Sequence, residues 1–447
     1  MRRALAGLLL LLPAAVAAQS SVVTITDLRP RELRSTVFRV TAAQDLRVTA
    51  VGAEPEGRRG TFGWVTTMWA SSTDAATEPW LGNAWILDLT TRRVVWELSA
   101  APTTRGHRDT ATFNGAVHLL PGTYEAFYAA YPSISVDDSS HTTAARFINW
   151  LHDSGVDLFR LTIDGNAQTV TGAEADRARH AFEADAVVAL HGSPKEPFLQ
   201  AGFALDRPTT VEWYAEGELR ENAEFDTGWI VNADTHELVW KLTWRTSAPA
   251  GGAPKNRFAR ISRTLPAGRY AALYTSDDSH APGDWNQAPP HDPEAWGLVV
   301  RVVDPAARAG VKTFAYQHVA EDAVIVALTR IGNAESRTRA FTVPRPMDVR
   351  VYAIGEGRND QMFDYGWITN AATNQRVWEM RYADSGHAGG DPKNRVVDQT
   401  IHLDKGEYIV HYVSDDSHAY DDWNASPPYD PRHWGITILA ARAGGVP

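Results

Sequence analysis

One kind of segment in this chain concentrates residues able to do chemistry, and it occurs twice. Ser276-Asp277-Asp278-Ser279-His280 is followed by Asp284-Trp285-Asn286, Pro289-Pro290, Asp292-Pro293 and Trp296-Gly297. The second copy reads Ser414-Asp415-Asp416-Ser417-His418, Asp422-Trp423-Asn424, Pro427-Pro428, Asp430-Pro431 and Trp434-Gly435. Asp277, Asp278, Asp284 and Asp292, with Asp415, Asp416, Asp422 and Asp430, are hard oxygen donors of the kind Ca²⁺ gathers about six to eight of. Their spacing is not that of an EF-hand, which needs ligands at alternate positions around a central glycine. Trp285 and Trp423, beside Asn286, His280, Asn424 and His418, suit a sugar, with aromatic faces for the ring and polar groups for its hydroxyls. Lys255 and Arg257 recur as Lys393 and Arg395, so these cations are candidates to neutralise the acidic loop or to share its ligand. Ser, His and Asp also suggest nucleophilic catalysis. A triad is defined by spatial roles, however, and three neighbours in one loop seldom meet that geometry. Neither G-x-S-x-G nor H-E-x-x-H is present. The plainest reading is an Ω-like loop held by its own Asx and Ser turns and pinned by its tryptophans.

The framework that carries these loops is a repeat. Residues 203–297 align with 341–435 at a constant offset of 138, with 46 identities in 95 positions and no gap. A weaker copy lies upstream. Trp85 and Trp96 keep the spacing of Trp229 and Trp240, the run from Pro121 to Tyr128 matches Ala267 to Tyr274, and Asp137-Asp138-Ser139-Ser140-His141 echoes the loop. Each copy opens on an apolar run: Val22 to Ile25, Val187 to Leu190 and Val324 to Leu328. Periodicity inside a copy is two, in short β-branched and aromatic stretches bounded by Gly, Pro, Asp and Asn. The expected fold is all-β: three tandem antiparallel β-sandwich, jelly-roll-like modules with short Ala-rich, helical connectors. The boundaries read as a signal peptide at 1–18, repeat one at 19–165 with an insertion at 61–81 that includes Trp64, Trp69 and Trp80, and a connector at 166–184. Repeat two follows at 185–304, a connector at 305–321 and repeat three at 322–447. Trp229 and Trp240 are symmetric about the Asp234–Thr235 midpoint, which predicts a hairpin with both indoles opposite on one face. The same symmetry holds for Trp367 and Trp378 and for Trp85 and Trp96.

Composition narrows the partners. Arg2 and Arg3, the apolar run Leu5 to Leu12 and the small residues Val16-Ala17-Ala18 form an export signal, whose loss takes the net charge from −11 to −13. The apolar run is too short to span a bilayer, and no later stretch is longer, so the mature chain is expected to carry no transmembrane segment. With no cysteine, disulfides and thiolate metal sites are excluded. The acidic balance argues against nucleic acid, which is bound by neutralising phosphates. Periplasm, cell exterior and cell surface are the expected compartments.

The F-x-V or F-x-L strand, the D-x-G-W-I hairpin and the L-x-x-G-x-Y strand (Leu265, Gly268, Tyr270) resemble the prepeptidase C-terminal type of bacterial β-sandwich module. That resemblance implies a jelly roll of the kind appended to secreted enzymes and surface proteins, some of which bind calcium or carbohydrate. It covers the strand motifs and not the acidic loop. The expectation is therefore a non-catalytic exported repeat protein whose loops bind a divalent cation, Ca²⁺, or a glycan, or stabilise each module. The alternative is a structural, assembly or adhesion protein partnered in the cell envelope, and the third is a hydrolase using the loop's Ser, His and Asp.

Overall fold

The computed structural model describes residues 21–53, 80, 82–105, 110–131, 158–193, 198–277 and 279–441. The signal peptide, most of the 61–81 insertion, the Asp137–His141 echo and Asp278 lie outside the described residues.

Alternating apolar runs become eight main antiparallel strands per module. In module two they are Ala186–His191, Phe198–Leu205, Thr209–Arg220, Thr227–Asn232, Leu238–Lys241, Asn256–Leu265, Gly268–Thr275 and Gly297–Val302. Numbered in chain order within the module, they form one sheet in the order 1-8-3-6 and another in the order 2-7-4-5. Modules one and three repeat both orders. Successive antiparallel pairs 1-8, 2-7, 3-6 and 4-5 are the jelly-roll arrangement, two Greek keys in a double sheet. Each sandwich buries its own core, built in module two around Phe203, Trp213, Ile230, Trp240 and Tyr274. Two tyrosines recur in these frameworks. Tyr124, Tyr270 and Tyr408 donate to the carbonyl four residues back, at 2.8, 3.0 and 3.0 Å, which accounts for the tyrosine of the L-x-x-G-x-Y strand. Tyr128, Tyr274 and Tyr412 cross the sandwich to the carbonyls of Val51, Glu216 and Ile354.

The first connector holds an α-helix, Gly172–Arg179, and a short 3-10 turn, Ala181–Glu183. The second holds a 3-10 helix, Pro305–Gly310, and then an extended piece, Val311–Phe314, which pairs with Phe198–Leu205 at the sheet edge. Gln168–Val170 covers Glu32–Val40 in the same way. The corresponding edge in module three, Ser336–Val343, gains no such strand among the described residues and carries Arg337 and Arg339, charges that discourage edge-to-edge pairing.

The hairpin expectation is half corrected. The turn forms, but Trp229 pairs with Lys241, and Ile230 pairs with Trp240, because a bulge intervenes after Ile230. The turn closes on a left-handed residue, His236, with φ 61°. A shift of one residue sends a side chain to the opposite face. Trp240 therefore enters the core, while Trp229 points out of the sandwich. Modules one and three show the same bulge, with Trp85 and Trp367 outward and Trp96 and Trp378 inward.

Candidate functional site

The outward tryptophans explain the aromatic half of the repeated loop. The outer face of module one's second sheet, around Val37, Trp85, Leu87 and Phe127, is covered by Trp285, Ala288 and Trp296 of module two and by Ala175 of the connector helix. The ring of His291 lies 5.1 Å from the Trp85 ring, and the Trp85 Nε1–H donates to the His291 carbonyl at 2.7 Å. At the next joint Trp229, Val231, Ala271 and Leu273 meet connector Tyr316 and module three's Tyr429, whose ring lies 4.8 Å from Trp229. His291 and Tyr429 are the same position, the x of P-P-x-D-P. The loop of each later module thus caps the hairpin tryptophan of the module before it.

Asp292 belongs to this joint. Its carboxylate takes a two-pronged ion pair from Arg92, the left-handed residue of module one's hairpin turn, with Nε to Oδ2 at 2.7 Å, and it accepts from the Tyr214 hydroxyl. Both charged side chains are almost fully buried. Asp430 accepts from Tyr352 at 3.1 Å and faces His433 at 2.9 Å. Asp292 and Asp430 are therefore corrected from cation ligands to parts of the packing beneath the loop.

The root of the loop is a buried polar network. His280 has φ 51° and no exposure. Its Nε2 lies 2.6 Å from Asn256 Oδ1, while the Asn256 amide donates to the carbonyls of Gly251 and Ala288. The His280 Nδ1 lies 2.8 Å from Asn286 Oδ1, which also accepts from Lys255. Burial, then the nearby Lys255 ammonium, hold the imidazole well below its usual range. His418 repeats the contact with Asn394 at 2.6 Å, and burial followed by Lys393 brings it down to about 4. The Ser279 hydroxyl and N–H both donate to Asp277, an Asx turn, so the loop's serine and histidine have different partners. Trp285 is 4 % exposed and sits edge-on to Trp296 and His280. Trp423 repeats this packing with Trp434 and His418. The sugar-stacking expectation is corrected for Trp285, which is buried against the loop's own aromatics, whereas Trp423, in the same edge-to-face packing, stays partly exposed.

Carboxylates do converge, but from a different set of positions. Single carboxylate oxygens of Glu356, Asp364 and Asp415 lie within 4.8 Å of one another. Glu356 lies near the end of the third strand, Asp364 precedes the hairpin tryptophan, and Asp415 opens the loop. A glycine permits the meeting: a Cβ on Gly355 would come within 2.0 Å of the Asp364 carbonyl, so only glycine allows the strands to approach this closely. Asp364 accepts from the Asp415 N–H at 2.8 Å, the Ser414 hydroxyl at 2.8 Å and the Trp434 indole at 3.2 Å. Burial, assisted by the charges of Asp415 and Glu356, still pushes its carboxyl up to about 7 against those bonds. Lys393 bonds Glu356 Oε1 at 3.0 Å and Asn424 at 2.6 Å, whereas Glu356 Oε2 is buried without a partner.

The equivalent residues of module two are Glu218, Asp226 and Asp277; of these two sets only the module-three one draws its carboxylate oxygens within 4.8 Å of one another. Asp226 accepts from the Asp277 N–H at 2.7 Å and the Trp296 indole at 2.8 Å. Lys255 bonds Glu218 and Asn286, and Glu218 Oε2 is again buried and unpartnered. Burial, then Asp277, raises the Asp226 carboxyl well above its usual range. In module one a Cβ on Gly52 would meet the carbonyl of Gly82 in the corresponding close approach. Ala53 and Gly82 occupy the positions of the glutamate and the aspartate, so that module lacks both carboxylates.

Of the described loop aspartates, Asp415 joins the cluster in module three, and Asp277 holds the equivalent position in module two. Asp284, Asp416 and Asp422 are exposed, and Asp422 accepts from Asn333. Lys255 and Lys393 do dock on the acidic pocket, together with Asn286 and Asn424. Arg257 and Arg395 instead stack on Trp244 and Tyr382, 4.0 and 4.4 Å from the ring centres, and donate to the carbonyls of Ser247 and Ser385. The carboxylates that the sequence reading missed, Glu218, Asp226, Glu356 and Asp364, carried a signal in the sequence. G-E and F-D are identical in repeats two and three and have no acidic counterpart in repeat one.

Among the described residues no helix is long and apolar enough to cross a membrane. No model of a known protein family matches the chain, and no curated protein does. Among solved structures the chain is similar to the CUB1-EGF-CUB2 domain of human MASP-1/3, at 10% identity and a TM-score of 0.17, over 57% of this chain and 96% of that one. It is also similar to the CUB1-EGF-CUB2 domains of rat MASP-1, at 12% identity and a TM-score of 0.14, over 57% of this chain and 99% of that one. Such scores carry no argument about function.

Proposed function

We propose that this is an exported, non-catalytic binding array in which modules two and three each hold a divalent cation, Ca²⁺, at the root of the docking loop. The observation that carries the reading is the trio Glu356, Asp364 and Asp415, with one glutamate oxygen buried and unpartnered. A hard cation would supply that oxygen's missing partner and offset the repulsion among three carboxylates. The same three residue types stand at the equivalent positions of module two, less tightly grouped, and the lysine on the glutamate is the competitor the ion must displace or tolerate. Asp277 and Asp415 begin the loops that cap the preceding modules, so the ion would also fix the docking loop. Thermal unfolding with and without Ca²⁺ tests this. The midpoint is expected to rise with Ca²⁺, return with chelator, and stay unmoved in the Asp226→Asn, Asp364→Asn double variant. A wild-type midpoint indifferent to millimolar Ca²⁺ would reject the reading.

A further inference from the structure

The joint between modules two and three gathers a second group of metal-binding side chains, apart from the carboxylate pocket. His236 comes from module two's hairpin turn, His318 from the connector, and Asp398 from the sixth strand of module three, Asn394–Leu403. One donor atom of each lies within 4.8 Å of the others. His318 Nε2 and Asp398 Oδ2 are 3.3 Å apart, close to the about 3.4 Å between two ligands of a tetrahedral ion with bonds of about 2.0–2.1 Å. Two imidazoles and a carboxylate suit Zn²⁺ and its transition-metal neighbours, whereas Ca²⁺ takes oxygen donors.

The buried histidine is held in place from several sides. Its backbone N–H donates to the Gln200 side chain at 2.8 Å, its carbonyl accepts from Arg350, and its ring sits edge-on to Tyr352 at 5.0 Å. The Tyr316 hydroxyl stands 3.5 Å from His318 Nδ1 and 3.2 Å from His236 Nδ1, the kind of second partner that orients a metal-binding imidazole. Arg350 is the competitor. Its Nε and Nη2 each bond Asp398 at 2.7 Å, and Nη2 also lies 3.0 Å from His318 Nε2. A positive group therefore already bridges the imidazole and the carboxylate. An ion would take the place of Nη2 and leave the Nε bond to Oδ1, since ligating carboxylates are themselves hydrogen-bonded.

The first joint shows that docking alone does not demand this set. There Arg92 has the place of His236, Arg260 that of Asp398, and His180 that of His318. Arg260 pairs with Glu212 and donates to the Thr91 carbonyl in module one's turn, while the His180 side chain is 58 % exposed. The same three positions thus close one joint with guanidinium groups and bring metal donors together only at the other. We propose that His236, His318 and Asp398 bind a divalent transition ion of the Zn²⁺ class across the joint between modules two and three. Three protein ligands leave the fourth position to water.

Titration of the purified, full-length, untagged protein with Zn²⁺ against a chromogenic chelator tests this. One ion per chain is expected at the joint. The Asp226→Asn, Asp364→Asn double variant, which removes a carboxylate from each loop root, should keep that ion, so the result stands apart from the calcium reading. His236→Asn installs the residue that module three carries at the same left-handed turn position, Asn374 with φ 56°. It should leave the circular dichroism spectrum unchanged and weaken Zn²⁺ by at least the about 10–100-fold that loss of a supporting residue costs. Asp398→Asn should weaken it likewise. No binding at micromolar Zn²⁺, loss of the ion in the double variant, or wild-type affinity in His236→Asn would overturn the proposal.

Discussion

The Trp85 indole donates to the carbonyl of His291, a residue 206 positions later in the chain, and the two rings lie 5.1 Å apart. Tyr429 stands against Trp229 in the same relationship one module further on. The repeated loop is thus first a joint between modules. Its carboxylate pocket lies at its root, where the loop leaves the sandwich that carries it.

The Arg92–Asp292 pair anchors the first joint. Replacing Asp292 with alanine leaves a buried guanidinium without its counter-charge, a change that typically costs about 3–5 kcal/mol. Urea unfolding should show that loss, and the Arg92→Met, Asp292→Leu double variant should recover most of it. A single-variant cost of under about 1 kcal/mol would show the pair to be solvated.

The two hairpin tryptophans of module two should separate cleanly by phenotype. Trp240→Ala opens a cavity in the core, at about 3–5 kcal/mol in module two's unfolding free energy. Tyr429→Ala, which removes the cap from outward Trp229, should leave that unfolding nearly unchanged and instead expand the whole chain in small-angle X-ray scattering. Equal losses of module stability in both variants would contradict the assignment of faces.

The first joint should weaken in acid. Burial acts to raise the Glu97 carboxyl, but the His291 ring 3.4 Å away and bonds from Ser99 and Asn83 outweigh it and lower the carboxyl to about 2, from an ordinary value of 4.5. A group depressed on folding contributes stability that is complete above its unfolded value and is lost as pH falls through its folded value. The stability gap between wild type and Glu97→Gln should therefore be widest above about pH 5 and close between about pH 4.5 and about pH 2. Unfolding across that range measures it, and a gap constant with pH would remove Glu97 from the joint's energetics.

Lys393 bonds Glu356 and so competes with any cation for it. Lys393→Met should weaken the calcium-free protein while strengthening Ca²⁺ binding, on the order of tenfold, or about 1.4 kcal/mol. Calorimetric titration reads the affinity. Weaker binding in this variant would mean that the ammonium helps to build the site.

The sequence by itself determined the all-β class, the three repeats and the strand alternation. Those are local properties: a period of two and punctuation by Gly, Pro, Asp and Asn are written into short windows, and a gapless offset needs no coordinates. The hairpin also forms where its symmetry placed it. Only the tertiary structure decided which face each tryptophan takes, because a one-residue bulge inverts a side chain while leaving the spacing of Trp229 and Trp240 untouched. The carboxylate pocket was hidden for a related reason. Its members come from the third strand, the residues before the hairpin and the root of the loop, and they meet only when the sandwich closes and Gly355 lets the strands approach. Sequence proximity favoured Asp278, Asp284 and Asp292 over Glu218 and Asp226, yet Asp292 is paired across a module boundary with Arg92. Proximity along a chain measures linkage, whereas a site is defined by where burial leaves charge without a partner.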